Sequence, residues 1–279
     1  MKLNNGYDIP SPGFGTFKTP DGEVCVESVV EAVKAGYRHI DTAAVYGNEC
    51  SVGEGIRQCG VARSELFVTS KVWNTERGYD KTLRACEKSL SDLGMDYLDL
   101  YLIHWPANEM QFGDKAAAIN VDTWRAMERL VDEKVVRSIG LSNFYPHHME
   151  PVLAGANILP AADQVEYHPG LLQKETVELC RKHGILVEAW SSLGRGKLLD
   201  EAHIASIAER HGRTSAQVIQ RWCIQHGVLP LAKSTHAERI RENFDVNGFE
   251  LSDSEMAEID SVPDFRYGSH PDTAAFWYN

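Results

Sequence analysis

The sequence predicts an α/β fold: one closed (β/α)8 barrel, of the TIM-barrel type, spanning 1–279, with an N-terminal β-hairpin as its cap. Three observations carry this expectation. Short β-rich apolar runs alternate with amphipathic helical stretches along the chain, and strict alternation means parallel strands joined by right-handed crossovers. Eight such runs follow the N-terminal segment, the number that closes a barrel. The chain's 279 residues suit one domain of this type, for which about 250 is typical. From alternation alone, an open doubly wound sheet stays possible.

In chain order, residues 2–10 read as the hairpin. The eight strands are expected at 13–16, 37–41, 66–71, 99–104, 136–142, 162–166, 185–190 and 228–231. Helices are expected at 24–34, 48–58, 79–92, 121–133, 146–154 and 174–183, each after a strand. Two more, 200–211 and 214–225, precede the last strand, and 236–244 and 252–260 close the chain. Gly36, Gly184 and Gly227 stand where a left-handed residue ends a helix. Thr214 with Gln217 forms a capping-box pattern, and Pro146 suits a first helical turn. Residues 106–120 and 261–279 read as an irregular loop and tail, and nothing between them looks like a linker between domains.

The formal net charge is −12. An acidic surface disfavours nucleic acid and anionic membranes as partners. Six cysteines are scattered with no C-x-x-C pair, which predicts reduced, mostly buried thiols. The N-terminal MKLNNGYDIP has no apolar leader core, and no apolar run reaches the roughly 18 residues of a membrane helix. A reducing cytoplasm is the expected location.

In a barrel, chemistry gathers at the carboxyl ends of the strands. Asp41 ends the second strand and Tyr46 follows it. Lys71 ends the third and His104 the fourth. Each alone has an ordinary reading: a helix cap, packing, a solvated cation, a satisfied histidine. Together they perform complementary tasks. A carbonyl that receives a hydride grows negative charge on oxygen and needs a proton and hydrogen-bond donors. Free tyrosine, with a pKa of about 10, is a poor donor near neutrality. A buried Lys71 ammonium beside Tyr46 is expected to lower that pKa, with Asp41 keeping Lys71 charged. A neutral His104 would orient the carbonyl oxygen. A barrel metallohydrolase using Asp41 and His104 is a weaker alternative: no H-x-H or H-E-x-x-H pair supports it, and His147 and His148, adjacent on a helix, are expected to diverge.

These residues resemble the aldo-keto reductase family. GYRHIDTAAVYGNECSVGEGI (36–56), VTSKVW (68–73), LYLIHWP (100–106), IGLSNF (139–144), DQVEYHP (163–169) and LAKSTHAERIRENFDV (231–246) are similar to its motifs, in its order. The likeness is greatest to the microbial branch that includes 2,5-diketo-D-gluconate reductases. It implies the barrel, a monomer, and the tetrad Asp41, Tyr46, Lys71 and His104, with Tyr46 as general acid. Retention of His104 implies carbonyl rather than carbon–carbon reduction.

The resemblance also implies NADPH, held extended across the barrel mouth. No G-x-G-x-x-G joins a strand to a helix here, so a Rossmann site is not expected. The implied cofactor residues are Trp190 for stacking on the nicotinamide, with Ser142, Asn143 and Gln164 for its carboxamide. Ser191, Leu193, Gly194 and Gly196 would approach the pyrophosphate. Lys233, Ser234 and Arg239 would hold the 2′-phosphate, and Glu242 and Asn243 the adenine. Phe17, Val45, Trp73 and Trp105 would line the pocket for an aldehyde or ketone. The tail with Phe276, Trp277 and Tyr278 is expected to fold over the pocket or hang free. The competing function is a regulatory, redox-sensing module that binds NADPH with little turnover.

Overall fold

Successive side chains of a strand point to opposite faces, and here the two faces build two different interiors. A computed structural model describes residues 1–274. Eight parallel strands close into a barrel in chain order. They are β1 (Gly13–Gly15), β2 (His39–Asp41), β3 (Phe67–Val72), β4 (Leu98–Ile103), β5 (Val136–Ser142), β6 (Ala162–Glu166), β7 (Leu186–Trp190) and β8 (Leu229–Ala232). The closed barrel replaces the open-sheet alternative.

Helices α1 (Glu23–Ala35), α2 (Glu49–Gln58) and α3 (Tyr79–Leu93) follow the first strands. Next come α4 (Glu109–Phe112), α5 (Ala116–Asp132), α6 (Pro146–Gly155) and α7 (Lys174–Lys182). The chain ends through α8 (Ala202–His211), α9 (Ser215–Gln225), α10 (Ala237–Phe244) and α11 (Asp253–Asp260). The anticipated caps are present: Gly36 is left-handed after α1, and Thr214 and Gln217 exchange both capping-box bonds at α9.

Two local expectations need correction. The N-terminal hairpin reduces to one antiparallel bridge, Lys2 with Asp8. Pro10 and Pro12 lack the N–H groups a longer ladder would need, and the segment acts instead as a plug, with Leu3 and Ile9 sealing the barrel floor. The 106–120 loop is largely helical, holding α4 and the first turns of α5. The run Ala116-Ala117-Ala118 has the highest helix propensity and extends α5 upstream. Asn108 caps α4 by accepting the Gln111 N–H.

Outward-facing Phe14, Ile40, Val68, Tyr101, Ile139, Val165 and Val187 pack against the helices in one large apolar layer. The inward face changes character along each strand. It reads Phe67, Thr69, Lys71 on β3 and Leu186, Glu188, Trp190 on β7, with Gln164 level with Glu188. Phe67, Leu100, Leu102, Leu229 and Leu231 fill the barrel below. Polar side chains are therefore stacked toward one mouth. The cysteines form no disulfide, and among the described residues no helix is long and apolar enough to cross a membrane.

Candidate active site at the barrel mouth

A cavity of ≈ 750 Å³ opens at the carboxyl ends of the strands. Every residue anticipated for catalysis, cofactor or substrate lines it, except Lys71 and Gly194. Lys71 lies beneath the floor, wholly buried. Gly194 turns away: a Cβ there would fall 2.7 Å from Leu198 Cγ and 2.8 Å from Tyr267 Cε2. Its smallness serves packing of the β7 loop against Leu198 and Tyr267.

At the floor, the Lys71 ammonium uses its three protons on three acceptors. It donates to Asp41 Oδ1 at 2.7 Å, to the Thr42 carbonyl at 2.8 Å and to Tyr46 Oη at 3.3 Å. Because the phenol oxygen accepts from Lys71, the phenol's own proton is left to point elsewhere. A fully buried ammonium is costly unless paired and hydrogen-bonded. Burial works against it here, but Asp41, and then Tyr46, overcome that and raise the Lys71 pKa above its ordinary value. Lys71 stays charged.

For Tyr46 the balance comes out opposite to expectation. Burial pushes the phenol above its ordinary value; Lys71 opposes the rise, and Asp41 adds to it. The ammonium restrains the pKa without bringing it below that of free tyrosine. The loss of water around the phenolate is the reason, and the spacing of charges along a sequence cannot reveal it.

His104 packs edge-on to Tyr46 and Trp73, with ring centroids 5.7 and 5.1 Å away. Burial, then the Lys71 and Arg77 cations, push its imidazole well below the ordinary value. It is neutral at neutral pH, as expected. Phe17 and Val45 are exposed at the rim, with Phe17 5.0 Å from the Tyr46 ring. Trp105 is buried in the wall.

The strand ends of β5 to β7 are cross-linked. Trp190 donates its indole N–H to Asn143 Oδ1 at 2.9 Å, and Asn143 Nδ2 donates to the His104 carbonyl at 2.9 Å. Asn143 adopts φ 64°, a left-handed conformation that Asn tolerates. Ser142 donates to the Gln164 carbonyl at 2.8 Å. Gln164 donates Nε2 inward, to Asp41 Oδ2 at 2.9 Å and Glu188 Oε2 at 3.1 Å.

Four cations, Lys18, Arg195, Lys233 and Arg239, line the same cavity. None is ion-paired with a carboxylate among the described residues. Burial, with Lys18 adding to it, lowers the Lys233 pKa. Unpaired cations around one cavity of a chain with net charge −12 fit a polyanionic group. The donor set therefore suits a phosphorylated cofactor. Sequence reasoning missed Lys18 and Arg195. The only signal for them was that each lies within three residues of an anticipated lining residue.

The tail is held across the rim, one of the two placements expected for it, by contacts that carry no sequence signal. Glu166 Oε1 accepts the backbone N–H groups of Tyr267 and Gly268, both at 2.8 Å. Arg266 reaches Glu166 and the Tyr145 hydroxyl. Burial pushes the Glu166 carboxyl up, but His168 and the two backbone donors hold it below the ordinary value. Gly268 lies against Trp190, where a Cβ would fall 2.2 Å from the indole Cη2. Phe276, Trp277 and Tyr278 lie outside the described residues.

His147 and His148 do not diverge as expected. Both Nε2 atoms reach Asp272 Oδ1, at 2.9 and 3.1 Å. They stand in the first turn of α6, where imidazoles can swing toward a partner that the tail presents. His148 Nδ1 accepts the Tyr145 N–H at 3.2 Å, and the hydrogen bond between this turn and Asp272 is that of His147 Nε2. The cluster is a hydrogen-bonded tie between helix and tail.

A family model described as "Aldo/keto reductase family" matches residues 13–264. The chain is similar to glyoxal reductase of Bacillus subtilis (strain 168), 50% identical over 277 residues, covering 99% of this chain and 97% of that protein. It is also similar to 9,11-endoperoxide prostaglandin H2 reductase of Trypanosoma cruzi (strain CL Brener), 46% identical over 276 residues, covering 98% and 94%. Among solved structures, a mutant of Gox0644 in complex with NADPH superposes with a TM-score of 0.91 at 40% identity, covering 99% of this chain and 98% of that one.

Proposed function

The chain belongs to the aldo/keto reductase family, and on that premise we propose how its own residues carry out the chemistry. It is an oxidoreductase that reduces aldehydes and ketones to alcohols with NADPH. When bound, NADPH supplies the hydride that the carbonyl carbon accepts.

Tyr46 is the general acid. Its oxygen accepts from Lys71, so its O–H is free to donate to the carbonyl oxygen as negative charge grows there. The phenolate left behind is stabilised by the ammonium, which Asp41 keeps charged. Neutral His104 donates a ring N–H to the same oxygen and orients it. Lys71 bridging Tyr46 and Asp41 under the floor is the observation that carries this reading. Such an acid–base apparatus disfavours a regulatory module with little turnover.

Trp190 stacks on the nicotinamide, and Gln164 presents its amide oxygen to the carboxamide, beside Ser142 and Asn143. Lys233 and Arg239, with Ser234, hold the 2′-phosphate. Glu242 and Asn243 contact the adenine, and Ser191, Leu193 and Gly196 the pyrophosphate. Lys18 and Arg195 add to the phosphate field. The protein works as a monomeric, single-domain, cytoplasmic enzyme with no nucleic-acid or membrane partner.

For the substrate, Phe17, Val45, Trp73 and Trp105 form a flat apolar rim. Small dicarbonyls and keto-sugars suit it, the class handled by glyoxal reductase and by the microbial 2,5-diketo-D-gluconate reductases. A panel of dicarbonyls, keto-sugar acids and bulky aromatic ketones, followed by loss of NADPH absorbance, tests this. The highest kcat/KM is expected for the dicarbonyls and keto-sugars. Preference for bulky aromatic ketones would overturn the assignment.

A further inference from the structure

Glu188 lies one layer below the mouth, on the inward face of β7 level with Gln164 on β6. It is wholly buried and lines no part of the cavity. Its Oε2 accepts the Gln164 amide at 3.1 Å, from the same Nε2 that donates to Asp41 at 2.9 Å. The planar Gln164 amide has both N–H bonds committed inward, to two carboxyl groups. Its oxygen is the atom left for the cavity. An amide flip would set that oxygen against two buried acceptors, leaving Asp41 Oδ2 and the Glu188 carboxyl without the donor each now has, at a cost of the order of an unsatisfied buried group for each.

We infer that Glu188 is a positioning residue for cofactor binding: with Asp41 it locks the Gln164 amide nitrogen inward, presents its oxygen to the nicotinamide carboxamide, and makes that lock respond to pH. The inference rests on the reading of Gln164 given above. A carboxylate holds an N–H more strongly than a neutral carboxyl does, so the lock tightens when Glu188 ionises.

The surroundings of Glu188 set when that happens. Lys71 on β3 is the ammonium that acts on Glu188, and Asp41 on β2 already takes its closest bond. His39 on β2 stands 4.0 Å from Glu188 Oε1 and is neutral, its pKa pushed down to about 3 by burial. Asp163 on β6 faces the helix layer, and burial pushes its carboxyl well above the ordinary value. On the β8 side the paired residues are Leu229 and Pro230, which carry no charge. Burial, then the Asp41 charge, push Glu188 up to about 7, with Gln164 and Lys71 opposing. Its ionisation thus falls near neutrality.

The test is NADPH affinity by fluorescence titration from pH 6 to pH 8, for wild type and for Glu188→Gln, Glu188→Leu and Gln164→Ala. Glu188→Gln keeps an acceptor for Gln164 but cannot ionise. It should match wild type at the acid end and bind about five- to tenfold more weakly at the alkaline end, the difference between a charge-assisted and a neutral hydrogen bond. Titration of the cofactor's own phosphate affects both proteins alike and cancels in the ratio. Glu188→Leu removes the acceptor and should weaken binding at every pH. Gln164→Ala separates the two claims. If it leaves affinity unchanged, the reading of Gln164 fails and takes this inference with it. If it weakens binding while Glu188→Gln tracks wild type throughout, the inference about Glu188 alone is overturned. Should the Glu188 variants not fold, infrared difference spectra of wild type decide. A buried protonated carboxyl band is expected to vanish as pH rises through about 7 and to shift with NADPH; its absence overturns the inference.

Discussion

The Lys71 ammonium stands 3.3 Å from the Tyr46 hydroxyl and donates to it, while its strongest bond, 2.7 Å, goes to Asp41. Two strands and the loop after β2 meet in that contact, and it ties stability to chemistry.

Removing the cation alone should be costly. Lys71→Met leaves the buried Asp41 carboxyl without its partner, which is expected to lower stability by about 3–5 kcal/mol. Urea unfolding of Lys71→Met and of Lys71→Met with Asp41→Asn measures this. The double variant should recover part of the loss, because no lone charge remains.

Alkaline pH should destabilise the fold through the same cluster. The folded pKa values of Lys71 and Tyr46 are both raised. Their contribution is full below the unfolded values of about 10.4 and 10 and fades as pH climbs through the folded ones. Melting temperature should drop above about pH 10, and less steeply in Tyr46→Phe.

Acid should act through His39. Its folded pKa is depressed to about 3 by burial, then by Lys71. The unfolded chain takes up that proton first, so stability is intact above about pH 6.5 and falls below it. One proton amounts to about 1.4 kcal/mol per pH unit. Denaturant titrations should give a smaller acid slope for His39→Gln than for wild type.

Lys233→Met should raise the dissociation constant of NADPH by about tenfold or more, the worth of one charge-assisted bond, and leave that of NADH nearly unchanged. Equal effects on both cofactors would refute the 2′-phosphate assignment.

Gly268→Ala places a Cβ where the Trp190 ring and Glu166 Oε2 already lie, 2.2 and 2.8 Å away. Either the tail or the indole must shift. Stopped-flow tryptophan fluorescence should show faster NADPH release, with tail displacement as the cause.

The barrel was legible because nearly every strand is a short apolar run closed by a polar residue, and the tetrad because its members lie at or just after the ends of three successive strands. The N-terminal segment has alternation enough for a hairpin, but its prolines permit only the Lys2–Asp8 bridge. Pro106 and Gly113 suggest a loop, yet the alanines that follow them start α5. Glu188 looks like any strand glutamate until the β6–β7 register sets it opposite Gln164. The net Tyr46 pKa is invisible in the sequence for a related reason: Lys71 lowers it as its position suggests, but desolvation depends on what surrounds the phenol, and no motif records that.

Single-turnover reduction of an aldehyde by Tyr46→Phe, with NADPH saturating, tests the central claim most directly. Reduction slower than wild type by about 10²–10⁴-fold, with NADPH affinity unchanged, is the predicted result. Reduction at the wild-type rate would contradict it and assign the proton to another group.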